Sequence, residues 1–588
     1  MLFAEVTQTF DRIESTAKRL EFTSELAGLF SKASRADIGR IVYLCQGVVA
    51  PQFEGIELGI GDKLAAQAVA RVSGVSVAKV EAEFRKAGDL GEAAVILLGQ
   101  KLQKNLDFEP LTVSKVHDNF LSMATASGAG SQGAKIKLLC ELLANSDGRQ
   151  AKTIIRFCTN NMRIGIGEPT ILDALSLVVA GDKSFRPELE RAFNLTSDLG
   201  RVAELAFEKD AREKIKSVGP KPGNPIRPAL AERLESGGEI VEKLGECAVE
   251  GKYDGFRLQV HRTAAGGVTV YSRKQEKITH MFPELVEAAK SNVKAREFIL
   301  EGEAVGVDPG TGRILPFQVT VQRKRKHGVA EAAKRIPLKL FCFELLFLDG
   351  QDYTLKPYRE RRKKLQAVVK PGASLGVADI AIVKTGEAIE DFFNKSIDAG
   401  LEGIIAKGLS APYAAGARKF SWIKLKKSYR GALADTVDVV IVGFYYGKGK
   451  RTKFGFGGVL TAAYEPKSGS FKTVAKVGSG FSEEQMTEFS EMLSKTVVKE
   501  KPAAVDSLLE PDEWVRPEYV IEVNADEITE SPVHTCAMAK KADGNSHGLA
   551  LRFPRMVALR SDKSPKDATT ESEIERMFEL QHRQGQRG

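Results

Sequence analysis

The sequence predicts a multidomain protein with three different folds in succession along the chain. Residues 1–216 have the apolar spacing of an all-α region. Residues 217–427 mix strand-like and helical stretches, as in an α+β domain, and residues 428–588 contain short runs typical of a small β-barrel. The length of 588 residues by itself predicts about three or four domains.

Helical periodicity dominates the first region, which has few stretches that alternate like strands. One helical face near the N-terminus carries four apolar residues, namely Leu2, Val6, Phe10 and Ile13. Further along, Thr170 is followed three residues later by Asp173, a pattern that resembles the capping signal at the start of a helix.

A Pro- and Gly-rich segment over 217–233 then predicts an interdomain connection. The β-rich runs that follow it alternate with helical stretches such as 283–290 and 358–369. These runs lie at 256–262, 268–274, 297–307 and 338–348. In the third region, Gly, Lys and Ser turns separate strand-like runs, which suits a small barrel. Those runs lie at 438–447, 457–465, 471–480 and 519–528, ahead of a polar helix from about residue 571.

Composition excludes several classes of protein. Hydrophobic residues make up 43% and charged residues 28%, as in ordinary globular proteins, and the net charge of +9 is only modest support for a polyanionic partner. The six cysteines form no C-x-x-C pair, which argues against a zinc ribbon or a disulfide scaffold. The N-terminus lacks the basic start and apolar core of a signal peptide, and no apolar run could span a bilayer. We therefore expect a cytoplasmic, nucleoid-associated protein.

The segment AVEGKYDGFRLQVH contains Lys252 in a K-x-D-G string. Such a string alone is weak evidence, because average residue usage produces it by chance in roughly one chain in five of this length. Alone it is equally consistent with a surface turn, in which Asp-Gly favours a positive φ.

Six further segments follow Lys252 in order and change this interpretation. They are YSRKQEKITHMFPEL with Arg273, FILEGEAVGVD with Glu303, LFCFELLFLDG with Phe343, LEGIIAKG with Glu402 and Lys407, SWIKLKKSY with Lys424 and Lys426, and LALRFPRMVALRSDKSPKDATT with Arg552, Arg555, Arg560, Asp562 and Lys563. Together the seven segments resemble motifs I, Ia, III, IIIa, IV, V and VI of the covalent nucleotidyltransferases, the superfamily of DNA ligases, RNA ligases and mRNA-capping enzymes.

Chemistry explains why these residue types belong together. An amine must attack the α-phosphate of a nucleotide, but a lysine with an ordinary pKa near ~10.4 is protonated at neutral pH. Nearby cations and partial desolvation favour the neutral amine and offset charge on the phosphates. We expect this positive field from five side chains: Arg257, Arg273, Lys407, Lys424 and Lys426.

The resemblance implies a role for each residue of the set. Lys252 is implied as the nucleophile that carries AMP, with Arg257, Lys407, Lys424 and Lys426 against the AMP or its phosphate; Arg273 and Arg418 also match nucleotide-binding positions. Glu250 is implied at the adenine edge, and Phe343 is implied to stack on the base. Glu303 and Glu402 match metal-associated glutamates, for Mg²⁺ or Mn²⁺, and Asp254 matches a residue that supports the later transfer steps. Taken singly, Phe343 could be a core residue and the glutamates solvated strand ends.

Within the superfamily, the chain most resembles the archaeal and eukaryotic replicative ATP-dependent DNA ligases. The helical segment before Lys252 resembles their DNA-binding domain, the third region resembles their oligonucleotide-binding (OB) barrel, and RFPRMVALRSDKSPKDATT follows their motif VI. This resemblance implies ATP as co-substrate, nicked duplex DNA as substrate, a monomer, and work in replication, repair and recombination. It also implies a barrel that moves about a hinge near 427–433.

Several segments are candidate contacts to the DNA backbone, which a nick-sealing enzyme must hold on both sides. They are SGAGSQGAKIK (127–137), MRIGIGE (162–168) and the basic runs 322–328 and 445–453. A plain loop or a solvated charged face remains the alternative for each. The segment 99–112, containing Gln103 to Phe108, resembles the place where some archaeal ligases bind a sliding clamp, although it lacks their paired aromatics.

Two other functions remain open at this point. An RNA ligase or a capping-type guanylyltransferase would share the Lys252 chemistry, and a catalytically silent DNA-binding scaffold would share only the fold. An NAD-dependent ligase is disfavoured, because the cysteine quartet of its usual zinc module is missing.

Overall fold

The computed structural model describes residues 1–16, 18–99, 109–162, 164–325, 327–426, 436–447, 449–540 and 546–584. The chain divides into two compact units, residues 1–424 and 425–588. The helical and α+β regions both belong to the first unit. No helix among the described residues is both long enough and apolar enough to cross a membrane.

Residues up to 217 form helices around one large apolar core. These helices are α1 (Phe3–Glu14), α2 (Arg19–Phe30), α3 (Arg35–Gln46), α4 (Asp62–Ser73), α5 (Val77–Ala87), α6 (Leu90–Gly99), α7 (Val113–Thr125), α8 (Ser131–Ala144), α9 (Gly148–Cys158), α10 (Glu168–Ala180), α11 (Arg186–Thr196), α12 (Leu199–Ala206) and α13 (Ala211–Ser217). Three of the four apolar residues predicted on one face of α1 are buried, whereas Leu2 is 47% exposed just before the helix.

Local capping explains where some of these helices begin. The side chain of Asp147 accepts a hydrogen bond from the backbone N–H of Gln150 and the side chain of Gln150 accepts one from Asp147, which closes a capping box on α9. The capping signal predicted at Thr170 was wrong. Gly167 is the N-cap of α10, Thr170 lies inside the helix, and Asp173 is instead paired with basic side chains from the following turn.

The α+β region contains two sheets. Its strands are β1 (Leu230–Arg233), β2 (Cys247–Lys252), β3 (Phe256–Arg262), β4 (Val268–Ser272), β5 (Phe298–Gly306), β6 (Leu338–Leu348), β7 (Gln351–Asp352), β8 (Leu375–Val377), β9 (Ile380–Val383), β10 (Gly403–Gly408) and β11 (Arg418–Lys426). Its helices are α14 (Gly237–Leu244), α15 (Pro283–Asn292), α16 (Phe317–Thr320), α17 (Val329–Arg335), α18 (Tyr358–Val368) and α19 (Gly386–Asp398).

One sheet has the strand order β1-β11-β10-β2-β9 and the other the order β4-β3-β5-β6-β7, with β8 added beside β6. Apolar residues from both sheets meet in one cluster, which includes Ile299, Phe343 and Trp422. The strands that carry the predicted motifs are therefore brought together between the two sheets.

The predicted interdomain connection is packed rather than loose. The backbone N–H of Gly223 donates to Nδ1 of His261 at 3.0 Å, and that of Ile226 donates to Oε1 of Gln259 at 2.7 Å. On its other side, Arg227 N–H donates to the carbonyl of Asn194 in α11 at 2.8 Å. The segment thus ties the helical region to the sheet that carries β3.

The second unit is rich in sheet, as predicted. Its strands are β12 (Val437–Tyr445), β13 (Gly458–Glu465), β14 (Ser470–Val477), β15 (Val497–Val498), β16 (Val505–Asp506), β17 (Glu513–Val515), β18 (Val520–Asn524), β19 (Glu527–Ser531), β20 (Ala539–Lys540), β21 (Ser546–Arg552) and β22 (Arg555–Leu559). Its helices are α20 (Glu483–Ser494) and α21 (Glu571–Gln584). β12 pairs with β13, β17 and β18, and these strands enclose a separate apolar core.

Candidate active site around Lys252

Lys252 is the last residue of β2, where that strand pairs with β10. The antiparallel register places Lys252 opposite Gly403, and the backbone N–H of Glu402 donates to the Lys252 carbonyl at 3.0 Å. The Lys252 ammonium forms an ion pair with the Glu402 carboxylate. About a quarter of each side chain is exposed, 23% and 24%, so both groups can be reached by a ligand.

The glycines on either side of Lys252 allow close packing. A Cβ on Gly251 would lie 2.4 Å from Cδ1 of Leu401, and one on Gly255 would lie 2.3 Å from the carbonyl oxygen of Ala304 on β5. Gly255 does not have a positive φ, unlike the glycine of the surface turn that was the alternative interpretation. The glycine of the K-x-D-G string is therefore required by the close approach of two strands.

Glu303 and Arg257 lie opposite each other on β5 and β3, in the second sheet. Burial raises the pKa of Glu303 to about 7, although Lys252 and Arg257 oppose this shift and Asp254 adds to it. These four side chains are therefore electrostatic neighbours: Lys252, Asp254, Arg257 and Glu303. Two cations and two anions therefore lie near one another around Glu303.

Arg257 is held in position by residues that were not among the predicted site residues. Its guanidinium donates to the carbonyl of Ala229 at 2.7 Å and to Glu301 at 3.0 Å. The hydroxyl of Tyr413 donates to Glu301 at 2.7 Å and accepts from the backbone N–H of Ala229 at 2.9 Å. Glu301 could have been found from the sequence, because it lies two residues before Glu303 on the same face of β5. No sequence signal pointed to Tyr413.

Aromatic side chains line the part of the site around Phe343. The Phe343 ring is 9% exposed and packs edge-on against Trp422, with ring centroids 6.1 Å apart. The Arg257 guanidinium lies over both rings, at 5.5 Å and 5.4 Å. Glu250, two residues before Lys252, is buried nearby, at 3% exposure.

Lys407 lies in a different environment from the one the motif implied. It is fully buried, and its Nζ lies 2.7 Å from Oε1 of Glu250 and 3.8 Å from Oε1 of Glu344. Burial lowers its pKa, whereas the Glu250 and Glu344 carboxylates oppose that shift. The charge of Lys407 is therefore directed at carboxylates in the interior rather than at the accessible end of β2.

The remaining nucleotide-binding candidates lie on β11 and just after β4. Arg418 begins β11 and is exposed, whereas Lys424 and Lys426 are half-buried on one face of that strand. Arg273 is exposed one residue beyond β4, at a small cavity whose lining includes Arg257 and Glu301. β11 lies next to β10, which carries Lys407, and so in the same sheet as β2.

The motif VI residues form ion pairs within the second unit, with Arg560, Asp562 and Lys563 in one cluster around Asp438. Arg560 donates to Asp438 at 3.1 Å and to Asp562 at 2.8 Å, and the Lys563 ammonium lies 2.5 Å from Asp438. The bond from Arg560 is the main cause that lowers the pKa of Asp562 to about 2. Arg552 pairs with Glu527 at 2.7 Å, and Arg555 pairs with Asp526. Asp438, on β12, was not selected from the sequence.

The residues of the segments predicted to contact DNA lie in different environments. Within the basic run 322–328, Arg323 is fully buried and paired with Glu284, so this member of the run is not available to phosphate. Lys135, in 127–137, donates to the Leu58 carbonyl at 2.7 Å. The clamp-like residues 103–108 and the hinge 427–433 lie outside the described residues.

Among the described residues, no group of three or more His, Cys, Asp or Glu side chains could by itself hold a metal ion. Glu303 and Glu402 nevertheless both lie beside Lys252, which is the arrangement expected of a Mg²⁺ site completed by substrate phosphates. The donor set present therefore fits Mg²⁺ bound together with a nucleotide.

Three family models match successive parts of the chain. They are described as "DNA ligase N terminus" over residues 2–176, "ATP dependent DNA ligase domain" over 228–426 and "ATP dependent DNA ligase C terminal region" over 452–563. Together they cover most of the sequence, in the order of the three predicted regions.

Relatives match over nearly the whole chain. A "Probable DNA ligase" of Dictyoglomus thermophilum is 46% identical, over 99% of this chain and 98% of the relative. The "DNA ligase" of Staphylothermus marinus is 41% identical over 99% of each chain. A solved structure titled "Pmar-Lig_Pre" is 14% identical with a TM-score of 0.52, over 95% of this chain and 99% of that one, which supports the fold alone.

These matches confirm the predicted enzyme class and the three-part fold, with ATP as substrate and DNA as the molecule acted on. That the second unit is an OB-fold, and that the protein is a monomer, stay predictions. The chain belongs to the ATP-dependent DNA ligase family, whose general function is to seal nicks in DNA.

Proposed function

We propose that Lys252 carries AMP as a covalent intermediate while this ligase joins a 3′-hydroxyl to a 5′-phosphate at a nick in duplex DNA. The observation that carries the proposal is the position of the Lys252 amine, which pairs with the Glu402 carboxylate and lies close enough to Glu303 to oppose, as Arg257 also does, the rise in the pKa of that carboxyl. A lysine that is partly desolvated, accessible and surrounded by other charges has the surroundings of a nucleophile rather than of a surface residue.

In the first step, the neutral Nζ of Lys252 attacks the α-phosphorus of ATP. A P–N bond forms, the bond to the β-phosphate oxygen breaks, and pyrophosphate leaves with the electron pair. The ammonium gives up one proton to water before the attack, and the nitrogen gives up a second proton to water once the P–N bond has formed. Water reaches Nζ because 23% of the side chain is exposed. The ion pair with Glu402 must open for this step, since a paired ammonium cannot attack.

The next two steps transfer AMP and close the nick. An oxygen of the DNA 5′-phosphate attacks the phosphorus of the lysyl-AMP, the P–N bond breaks, and Lys252 leaves as an amine because its nitrogen takes up a proton from water. The 3′-hydroxyl then attacks the DNA 5′-phosphorus, the new phosphodiester bond forms, and AMP departs with its phosphate oxygen. Asp254 is close enough to Glu303 to affect its pKa, and we assign it to orienting the attacking groups.

Positive side chains stabilise the charge that develops on the phosphates. Arg257, held in place by Glu301 and Ala229, is the member whose position the structure supports best. We assign the same role to Arg273, Arg418, Lys424 and Lys426. Glu303 and Glu402 would hold Mg²⁺, which when bound would offset phosphate charge.

The base and the pyrophosphate are assigned to other parts of the chain. Phe343 would stack on adenine, and Glu250 would accept a hydrogen bond from its amino group. The motif VI cluster around Arg560 and Lys563 would act on the pyrophosphate during the first step only. We therefore expect Arg560→Ala and Lys563→Ala to impair self-adenylation more than sealing by enzyme already carrying AMP. Equal loss in both assays would contradict that role.

Covalent labelling tests the proposal directly. Wild type, Lys252→Ala and Lys384→Ala are incubated with α-labelled ATP and Mg²⁺, denatured, and then compared for retained label. Lys384 is a matched control, because its side chain is 76% exposed and pairs only with Glu246 among the described residues. We expect label on wild type and on Lys384→Ala, none on Lys252→Ala, and discharge of the label when nicked duplex DNA is added.

Two results would overturn the proposal. Label retained by Lys252→Ala would place AMP on another residue. Label that nicked RNA discharges and nicked DNA does not would keep the chemistry of Lys252 but contradict the DNA substrate.

A further inference from the structure

Four buried side chains of alternating charge lie in a row near the Phe343 ring, namely Arg361, Glu344, Lys407 and Glu250. The Arg361 guanidinium donates to both oxygens of Glu344, at 2.8 Å and 2.9 Å. Glu344 lies 3.8 Å from the ammonium of Lys407, which lies 2.7 Å from Glu250. None of the four side chains is more than 4% exposed. Buried charges in such an arrangement hold each other in one position, because breaking any pair leaves an uncompensated charge.

The contacts of Lys407 prevent its side chain from binding the phosphates of a nucleotide. Its Nζ also donates to the Phe343 carbonyl at 3.2 Å, and it lies over the rings of Trp422, Phe343 and Tyr358 at 4.2 Å, 4.8 Å and 5.0 Å. Three aromatic faces and two carboxylates therefore surround the ammonium. Among the described residues, its ion-pair partner on β2, the strand that carries Lys252, is Glu250.

The effect of Lys407 on Glu250 is to favour the ionised form of that carboxyl. Burial raises the pKa of Glu250 and so favours the neutral acid, whereas the adjacent ammonium of Lys407 opposes that shift. The hydroxyl of Tyr358 adds a longer contact of 3.4 Å. An ionised carboxylate can only accept hydrogen bonds, whereas the neutral acid can also donate one.

Glu250 is placed to use this property on a bound base. It lies two residues before Lys252 on β2, so both side chains point to the same face of the strand. Its neighbour Lys407 contacts the Phe343 ring, on which the base would stack. A purine with an amino group at position 6 offers a donor to the carboxylate, whereas a carbonyl there places two acceptors against each other.

We propose that Lys407 determines base specificity: by holding Glu250 as a fixed anionic acceptor, it makes the site select adenine nucleotides over guanine nucleotides. This inference rests on the proposed function, in which Glu250 contacts the base. It differs from the role that the motif implied for Lys407. A phosphate contact would serve ATP and GTP equally, because the two nucleotides have the same phosphates.

The test measures covalent labelling of the full-length protein by α-labelled ATP and α-labelled GTP over a range of concentrations. In Lys407→Met, which keeps a long apolar side chain without the charge, we expect labelling by ATP to require higher concentrations. The ratio of ATP to GTP labelling efficiency should fall by about ten-fold or more, the effect of losing one charge-assisted hydrogen bond. An equal loss with both nucleotides would overturn the inference.

Lys407→Met removes the ion-pair partner of the buried Glu250 carboxylate, although Glu344 keeps Arg361. Because this loss could affect folding, a second variant makes the test independent of it. Glu250→Gln keeps the shape of the side chain and a carbonyl for Lys407, but offers an amide N–H to the base. We expect the preference for ATP to fall about ten-fold or more here too. Lys384→Met, the surface control, should keep the wild-type ratio.

Each outcome separates this inference from the proposed function. Wild type that is labelled by ATP and GTP equally, or an ATP preference that persists in Glu250→Gln, would overturn the inference while leaving Lys252 as the nucleophile. Wild type that is labelled by neither nucleotide would overturn the proposed function and, with it, the inference.

Discussion

His261 should make the stability of the first unit depend on pH in a way that one substitution removes. It lies on β3, its ring is fully buried, and it packs edge-on against Tyr271 with ring centroids 4.9 Å apart. Its Nδ1 accepts from the backbone N–H of Gly223 at 3.0 Å, so the proton of the neutral ring must be on Nε2, which faces Oε1 of Gln259 at 2.9 Å. Protonating Nδ1 would set two donors against each other.

The size of the effect follows from the two pKa values. Burial lowers the pKa of His261 to about 3, whereas a histidine in the unfolded chain has a pKa of about 6.5. The folded-state pKa is the depressed one, so this contribution to stability is complete above pH 6.5 and is lost as pH falls towards 3. Linkage then predicts that the free energy of unfolding falls by about 2 kcal/mol between pH 7.5 and pH 5 because of this residue alone.

Urea unfolding at several pH values measures this contribution. The chain has two tryptophans, so a Trp514→Phe background leaves the emission of Trp422 to report on the first unit. In His261→Asn, whose amide oxygen can replace Nδ1 as acceptor, the fall in unfolding free energy between pH 7.5 and pH 5 should be smaller by about 2 kcal/mol. His280→Asn, at an exposed position, should keep the slope of the background.

Parallel unfolding free energies of the background and of His261→Asn from pH 7.5 to pH 5 would refute proton linkage at His261. A constant offset between the two curves would show only that the side chain contributes packing. The slope, and not the offset, reports the proton taken up on unfolding.

Three further predictions use single contacts. Arg156→Leu should lower the free energy of unfolding by about 3 kcal/mol in urea, because it removes the cation that pairs with the buried Asp89 carboxylate. Arg12→Ala, at a half-exposed pair, should cost under about 1 kcal/mol. Gly255→Ala should abolish covalent labelling by ATP, since its Cβ would clash with backbone, while Gly238→Ala should label normally. Asp438→Asn, which loosens the motif VI cations, should slow self-adenylation but not sealing by enzyme already carrying AMP; equal slowing would contradict its positioning role.

Much of the fold could be predicted because strand and helix patterns are local. The strands at Phe256–Arg262 and Leu338–Leu348 have the bounds that the sequence predicted, since alternating or continuous apolar runs need no information from distant residues. Helix starts were harder. Thr170 has the sequence pattern of a cap, but the N-cap of α10 is Gly167, three residues earlier. A capping pattern shows only that a residue could be the N-cap of a helix. The neighbouring residues decide whether the helix begins there.

The residues of the candidate site also include some that the sequence predicted and some that it could not. Lys252, Arg257, Glu303 and Glu402 were predicted from motifs, and the structure brings them together. Tyr413 could not be predicted, because its function in holding Arg257 depends on where a distant loop folds back. Asp438 was missed for the same reason, since its partners lie far along the chain.

The sequence by itself determined the chemical class of this protein: an ordered set of motifs around Lys252 specifies nucleotidyl transfer, and its flanking regions specify a DNA ligase. The tertiary structure alone decided what individual charges do. Lys407 and Arg323 both have the pattern of phosphate-binding cations, yet both are fully buried and paired with carboxylates. The reason is physical. The type of a residue depends on the chain at one point, whereas its burial and its partner depend on segments far apart in sequence that meet only when the sheets pack.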